Sequence, residues 1–593
     1  MHTALTQEQT LILKAFTTGE TFKVNAYAGT GKTFTLRALA EANPQRRFLY
    51  VGFNRRIVDE AQLVFPQGYV SCKTAHQLAY ARTPDYVRER VTADTQDLLK
   101  AMTQWVQTST HLGKLTDVTS LCETLLMPAL QQFKQSDLLS MPAQKSLYPE
   151  EAWDMQLSQR GVQAYLRHLG KHPQCAKKLA LSASPHTWEK ETFEALALLG
   201  FQKILSTFWH AQFSPESTLP IDHDAYLKAW QLTQPKLSYY DAILFDEAQD
   251  ANPCMLNVVM TQTHCQKVIV GDRFQQLYAW RGAINSLKTL QIPEYYLTQT
   301  FRFGNTLADL ATQVLHSIDP ETPPLTSALK PSIAEQATVI RPLHTEEFPR
   351  TVLCRTNAAL LNDYLQYYET CHIDIVGREA YAMASELEGH FKACKRLDAS
   401  GWKYLKQETK DSSPQSYNLM VWVEKNQTRI PEVLKHLKQA ARKNNPASKA
   451  ASVRKVSKRP FVLLSTVHQA KGLEWDYVVL GDDFKVDTPD ELNILYVALT
   501  RAKRAIDVSA CSALSLLGCM PPECQTMAGK QIPSYVRLPA SKHATPQKEL
   551  PSQPSTKPLI QVSKTLQAVN KPQHKPEYKA QIKTRIIQQT HLP

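Results

Sequence analysis

The chain has 593 residues, an ordinary apolar content and a formal charge of +13 at neutral pH. That length predicts two to four domains, each with its own core, and no stretch approaches the roughly eighteen apolar residues of a membrane helix. Eleven scattered cysteines form no paired framework and MHTALTQEQT does not read as a secretion signal, so the expectation is a soluble intracellular protein with reduced thiols.

FKVNAYA, ending at Ala28, alternates and branches like a strand, and TFTLRALAEA from Thr33 reads as a helix. Where they meet stands AYAGTGKT, Ala26 to Thr33. Small residues at Ala28, Gly29, Thr30 and Gly31 let backbone N–H groups wrap phosphates at a helix N-terminus, Lys32 reaches the β/γ-phosphates and Thr33 holds Mg²⁺. The first position of the loop is Ala26, where the pattern has glycine. FLYVGF reads as the next strand. From Ala81 to about Leu219 the strand rhythm gives way to helical patterns such as DLLKAMTQWVQ and FEALALLGFQKILSTFW, the mark of a helical insertion.

DAILFDEAQD then supplies an apolar strand ending in Asp246 and Glu247. Phosphoryl transfer needs one carboxylate near the metal and another to orient the attacking water, so Asp246 is assigned to Mg²⁺ and Glu247 to the water. An acidic strand end on a solvated turn is the weaker alternative. After the strand KVIVGD, the segment GDRFQQLYAWRGA offers Tyr278 and Trp280 as aromatic faces and Arg281 as a cation. Stacking a base on such a platform contributes roughly 1–3 kcal/mol; the competing reading is a pair of core aromatics on one face of a strand.

In the second half TVLCR, DIVG, FVLLSTVH, YVVLGD and AIDVSA predict a second parallel sheet. An irregular block, about 380 to 459, interrupts it and ends in RKNNPASKAASVRKVSKR, either a surface for a phosphate backbone or a solvated loop. Cys511, Cys519 and Cys524 cluster without a metal-site spacing and are expected to be ordinary thiols. Residues 541–593 carry nine Lys/Arg against Glu549 and Glu577, a net of +7. This tail is expected to be disordered, either touching nucleic acid or serving as a soluble extension.

Taken in order, these segments resemble the helicase motifs of superfamily 1, in the UvrD/Rep/PcrA group, across most of the chain. LTQEQ resembles the adenine-recognition motif, which implies that Gln9 pairs with the base. GFNRR and CKTAHQLAY resemble motifs that contact single strands, implying roles for Phe53, Asn54, Thr74 and His76. GDRFQQLYAWRGA resembles the motif joining the ATP site to the strand groove, with Gln275 sensing the γ-phosphate and Tyr278 and Trp280 facing bases. LTQTFRFG implies Phe301 stacking on adenine and Arg302 on the γ-phosphate. STVHQAKGLEWDYVVL implies Thr466 and His468 facing nucleic acid and Glu474 meeting the ribose. ELNILYVALTRAKRAI gives Arg501 the part of an arginine finger, a group that supplies roughly 10³–10⁵ in rate.

The resemblance therefore implies an α/β fold of two RecA-like parallel-sheet P-loop lobes with helical insertions. The expected division is 1–80 and 220–300 for the first lobe, 81–219 for its insertion, 301–379 and 460–535 for the second lobe, 380–459 for the second insertion and 536–593 for the tail. It implies ATP and Mg²⁺ as cofactors, a catalytic set of Lys32, Asp246, Glu247, Gln275, Arg302 and Arg501, and 3′→5′ movement on single-stranded and partly duplex DNA. It implies recombination or replication proteins as partners and no membrane.

Within the group, CKTAHQLAY, HDAYLKAWQL, LTQTFRFG and GDDF are most similar to the F-box DNA helicases and their bacterial and viral relatives. Eight residues precede Gln9, so no F-box is expected upstream and no F-box partner with it. The block 380–459 is shorter than UvrD itself would have, and nothing after residue 506 reads as a nuclease. Localisation follows the host: cytoplasmic in a bacterium, nuclear or at a viral replication site otherwise. Three rivals stay open: a translocase that strips proteins from single strands, an RNA helicase, and a nonenzymatic strand-binding scaffold.

Overall fold

A computed structural model describes residues 5–527 apart from 111, 113–117, 180, 182–187, 278–281, 330–337, 345–346, 368–369, 377–378, 413 and 444–459. Tyr278, Trp280, Arg281, most of the basic stretch before Pro460 and the C-terminal tail lie outside the described residues.

Strands β1 (Phe22–Ala26), β2 (Phe48–Gly52), β3 (Val70–Thr74), β4 (Ala242–Phe245), β5 (Gln266–Gly271) and β6 (Glu294–Leu297) form one sheet in the order β3-β2-β4-β5-β1-β6. Every pairing in it is parallel. β1, β2, β4 and β5 are buried along their whole length, as strands covered by helices on both faces must be. A short parallel pair, β7 (Gln299–Thr300) with β8 (Thr326–Ser327), follows.

The second sheet takes β9 (Val339–Ile340), β10 (Arg350–Cys354), β11 (His372–Ile375), β12 (Phe461–Thr466), β13 (Trp475–Leu480) and β14 (Ala502–Asp507) in the order β11-β12-β10-β13-β14-β9. It is also parallel throughout. The α/β class with two RecA-like lobes is the one read from the sequence. β3, β6 and β9 were not expected; each is a terminal strand of its sheet.

Between β3 and β4 the chain runs through helices, among them Thr95–Ser109 and Lys190–Gln212, which contain the two helical patterns seen in the sequence. They enclose a core of their own built on Phe133, Trp153, Phe201 and Leu205. The block expected to be irregular is instead helical: Glu379–Arg396, Ala399–Ser412, Pro414–Lys425 and Ile430–Lys443. Its apolar residues Met383, Leu387, Leu419, Val423 and Leu437 are spread thinly among charged ones, and they pack with Leu360, Val462 and Leu464 of the second lobe.

One further helix, Pro489–Leu499, is buried at every position from Leu492 to Leu499. A helix apolar on all sides belongs inside a fold, and this one shares its core with Tyr27, Ala28 and Phe274 of the first lobe. Among the described residues no helix is long and apolar enough to cross a membrane.

Candidate active site

The loop after β1 turns through Gly29 and Gly31, with φ of +74° and +80°, a region that L side chains enter at a cost of roughly 1–2 kcal/mol. At Gly29 space is equally decisive: a Cβ there would lie 2.6 Å from Thr300 Oγ1 and 2.7 Å from Arg302 Cβ. The helix Lys32–Glu41 starts where the loop ends, with no side chain capping its N-terminus, so its first N–H groups and the positive end of its dipole face the same space.

Beside it, Gln9 Oε1 accepts from the Thr6 backbone N–H at 3.0 Å, while Gln9 Nε2 is buried with no hydrogen-bond partner. That amide sits 3.3 Å from where a Gly31 Cβ would be, next to the Phe301 ring, which is 38% exposed. An orphaned donor costs about 1–3 kcal/mol; an aromatic face and a donor at one spot fit a nucleobase that offers an acceptor.

The carboxylates stand at the C-terminal end of β4. Asp246 is buried and accepts from Tyr50 Oη at 2.6 Å; burial, then the adjacent Glu247 charge, raises its carboxyl above the usual range. Glu247 has φ +52°, a strained conformation for a residue with a side chain, costing on the order of 1–3 kcal/mol. It accepts from Lys32 Nζ at 2.7 Å and from Gln249 Nε2 at 2.5 Å. Burial works to raise the Glu247 carboxyl, but Lys32 and Lys471 hold it down at about 2. The converse holds for Lys32, where burial would depress the ammonium and Glu247, Asp246 and Asp272 raise it instead.

The far wall comes from the second lobe. Arg501 is fully buried, donating to Val497 O at 2.8 Å, Thr500 Oγ1 at 2.9 Å and Leu473 O at 3.3 Å, with a long 3.4 Å contact to Gln275 Oε1. All four acceptors are neutral. Burial, then the nearby Arg302 charge, lowers the guanidinium to about 9. Arg302 donates to Glu474 at 2.7 Å and to Thr500 O at 2.9 Å, and Glu474 also lies 3.7 Å from Lys503.

Four groups here were not singled out from the sequence. Tyr496 Oη accepts from the Ala28 N–H at 3.1 Å and donates to Asp272 at 3.1 Å. Asp272 also accepts from Gln275 Nε2 at 2.7 Å. Lys471 crosses from the second lobe to bond Asp250 and Gln275 O. All four fall inside motifs already legible in the sequence, LYVALTR, GDRFQ, HQAKG and DEAQD, but the signal was their neighbours' chemistry, not their own.

The resulting cavity, about 320 Å³, is lined by Lys32, Thr33, Asp246, Glu247, Gln275, Arg302 and Arg501 together. It opens past Gly29, Lys32, Thr33 and Arg302 into an outer part of about 400 Å³ walled by Thr30, Gly31, Phe301 and Glu474. Positive charge and N–H groups converge where a polyphosphate fits, and Thr33 and Asp246 line the same cavity.

The proposed strand-binding residues are more dispersed. Phe53 and Asn54 follow β2 and line the edge of the inner cavity, with Asn54 capping the helix Arg55–Val64. Thr74 and Thr466 are buried where β3 and β12 run into short helices. His76 lies 3.3 Å from Asp224; burial would raise that carboxyl, yet His76, Gln135 and Lys134 hold it well below its usual range. His468 is driven down to about 4 by burial and then by Arg355, so it is neutral at physiological pH. Cys511, Cys519 and Cys524 are free thiols.

Comparison with known proteins follows the same outline. Residues 5–291 match the UvrD/REP helicase N-terminal domain and residues 461–506 the UvrD-like helicase C-terminal domain. The chain is 31% identical over 548 residues to F-box DNA helicase protein 1 of Schizosaccharomyces pombe, covering 85% of this chain and 57% of that one. It is 28% identical over 552 residues to F-box DNA helicase 1 of Gallus gallus, covering 85% and 49%. A stretch of 372 residues is 25% identical to the Gabija protein GajB of Bacillus cereus. The chain thus spans about half the length of the two F-box helicases it matches.

Proposed function

The chain belongs to the UvrD-like helicase family, and on that premise we propose that it is an ATP-driven DNA helicase that moves 3′→5′ along a single strand and separates the duplex ahead. The observation that carries the reading is Arg501: a buried cation whose hydrogen bonds all go to neutral acceptors, with Asp272 and Glu247 acting on it only from a distance, in one cavity with Lys32, Asp246 and Glu247. A buried charge with no carboxylate in direct contact is costly, and a γ-phosphate supplies a partner.

Each residue then has a task. Gln9 and Phe301 hold the base of ATP, and Glu474 reaches the ribose. Lys32, stored on Glu247, transfers to the β/γ-phosphates. Glu247, released from Lys32, orients the attacking water. Thr33 and Asp246 would hold Mg²⁺, which neutralises charge on the β- and γ-phosphate oxygens when bound. Arg302 and Arg501 stabilise the charge of the loose transition state from the opposite lobe. Because these groups come from both sheets, ATP favours the closed cleft and its hydrolysis releases it; strand contacts on both lobes turn that cycle into stepping. Repair, recombination or replication is the proposed setting.

Duplexes carrying a single-stranded tail on one strand test this reading. Unwinding of a 3′-tailed duplex with ATP, and not of a 5′-tailed one, is expected. Strand release from the 5′ tail alone would overturn the polarity, and hydrolysis without release from either would favour a translocase that clears proteins from single strands.

A further inference from the structure

The inner cavity continues past the place of the γ-phosphate. Gly29, Lys32, Thr33 and Arg302 line both its body and the outer part beside Phe301, so a nucleotide whose base rests on Phe301 lays its first two phosphates across the junction. Glu247, Gln275 and Arg501 come next, and the lining then runs on to Arg56, Ile57, Glu60, Ala61 and Val64 of the helix Arg55–Val64. None of the nucleotide-binding tasks assigned above uses this limb. It reaches the surface: the side chains of Arg56 and Glu60 are 46% and 67% exposed, and Val64 is 43% exposed.

A contact with the opposite lobe crosses this end of the cavity. Arg56 Nη2 reaches Lys471 O at 3.4 Å, and it lies 2.7 Å from where a Cβ on Gly472 would be, so the guanidinium rests where only glycine leaves room. The hold is weak, since the distance is near the outer limit of a hydrogen bond. Arg56 Nε has a second partner at 3.6 Å, the exposed Glu60 one turn along its own helix, a pairing of little worth by itself. A side chain held so loosely, with a carboxylate outside to receive it, swings off Lys471 at little cost.

Hydrolysis of ATP leaves ADP across the junction and inorganic phosphate on its inner side. The outer part is then plugged by ADP, and phosphate could leave that way only after it. We propose that the limb beside Arg55–Val64 is the exit for inorganic phosphate and that Arg56 is its gate, an assignment that rests on the ATP hydrolysis proposed above. Arg56 also offers the departing anion a cation outside Lys32 and Arg501, so the path toward solvent keeps a favourable charge. Phosphate thus leaves first and ADP second, from opposite ends of one cavity.

Entry and exit of an anion share one path, so the test needs no hydrolysis. The full chain is saturated with Mg²⁺ and a fluorescent ADP analogue, and beryllium fluoride, which takes the place of the γ-phosphate, is added and then diluted away. The analogue's fluorescence reports both rates. Arg56→Gln, which removes the gate, is expected to raise both by about fivefold, and Val64→Trp, which narrows the end, to lower both by about as much. Because a gate alters rates and not the bound state, beryllium fluoride affinity and the rates of the ADP analogue alone should stay within about twofold of the parent. Both positions are exposed. Arg55→Gln, at an exposed neighbour that pairs with Asp59, should match the parent.

Unchanged anion rates in either variant, a change in affinity large enough to account for them, an equal change in the ADP rates, or the same effect in the Arg55→Gln control would each overturn the proposal. So would failure of the ADP-loaded parent to take up beryllium fluoride. ATP hydrolysis stimulated by oligo-dT is read alongside. Its absence in the parent counts against the motor alone, and the anion rates still decide the route; a parent that binds no ADP would overturn both.

Discussion

Gly29 shows how closely the nucleotide loop is constrained by what surrounds it. Its φ of +74° would tolerate another residue at a modest cost, but a Cβ would meet Thr300 Oγ1 and Arg302 Cβ at 2.6–2.7 Å, so one or both must shift. Gly29→Ala is therefore expected to lose ATP binding by about 100-fold or more while melting only a few degrees lower, a shift equivalent to about 1–2 kcal/mol. Equilibrium titration of a fluorescent ATP analogue and a thermal melt separate the two.

Tyr496 makes the opposite kind of case. Its ring is part of the shared core, and its hydroxyl links the Ala28 N–H to Asp272 and through it to Gln275. Tyr496→Phe preserves the packing and leaves a buried N–H unpaired, at about 1–3 kcal/mol. Steady-state kinetics should show kcat for DNA-stimulated hydrolysis falling about 10-fold with KM for ATP little changed; a pure KM effect would mean that the hydroxyl serves ATP binding alone.

Between the lobes the decisive element is the segment Val467–Gly472. Lys471 bonds Asp250 and Gln275 O in the first lobe, and Arg56 Nη2 reaches Lys471 O at 3.4 Å. Burial raises the Asp250 carboxyl to about 6, against the pull of Lys471. Because the folded value lies above the unfolded one, about 4, the stability this group contributes is complete below pH 4 and is lost as pH rises through 6. The clasp works the other way: only the carboxylate above pH 6 holds Lys471 as an ion pair. The parent enzyme should thus lose DNA-stimulated kcat on acidification through about pH 6, and Asp250→Asn should be slow at neutral pH and flat across that window. An acid limb that survives in the variant would assign it to another group.

Elements differ in how far the sequence announces them. β1, β2, β4 and β5 are buried on both faces and read as apolar runs. β3, β6 and β9 lie at sheet edges, where VSCKT and EYYL mix polar with apolar residues and β9 has just two residues, so no run marks them. The helices Glu379–Lys443 were hidden for a related reason: one thin apolar stripe against the second lobe suffices, and charges such as Glu386, Glu388, Lys392 and Lys395 fill the rest. Lys32 could be named from the spacing of its loop, and Arg501 from the family resemblance. Tyr496, Asp250 and Lys471 could not, since their part depends on which atoms the second lobe brings into hydrogen-bond range of the first.

As a whole the molecule is two parallel sheets with a polar, cation-rich cleft between them and a shared apolar helix, Pro489–Leu499, behind it. That arrangement lets one ligand bias the distance between the lobes, which is what a motor needs. Among the described residues those of the helical insertions do not line the inner cavity. The F-box helicases that this chain resembles are about twice the length matched here.

The most direct measurement is ATP hydrolysis by the purified chain with no nucleic acid, with single-stranded DNA and with RNA, each beside a Lys32→Ala control. Hydrolysis strongly stimulated by DNA, weakly by RNA, and lost in the control is expected. Strand binding without Lys32-dependent, DNA-stimulated hydrolysis would contradict the motor and leave a nucleic-acid-binding scaffold in its place.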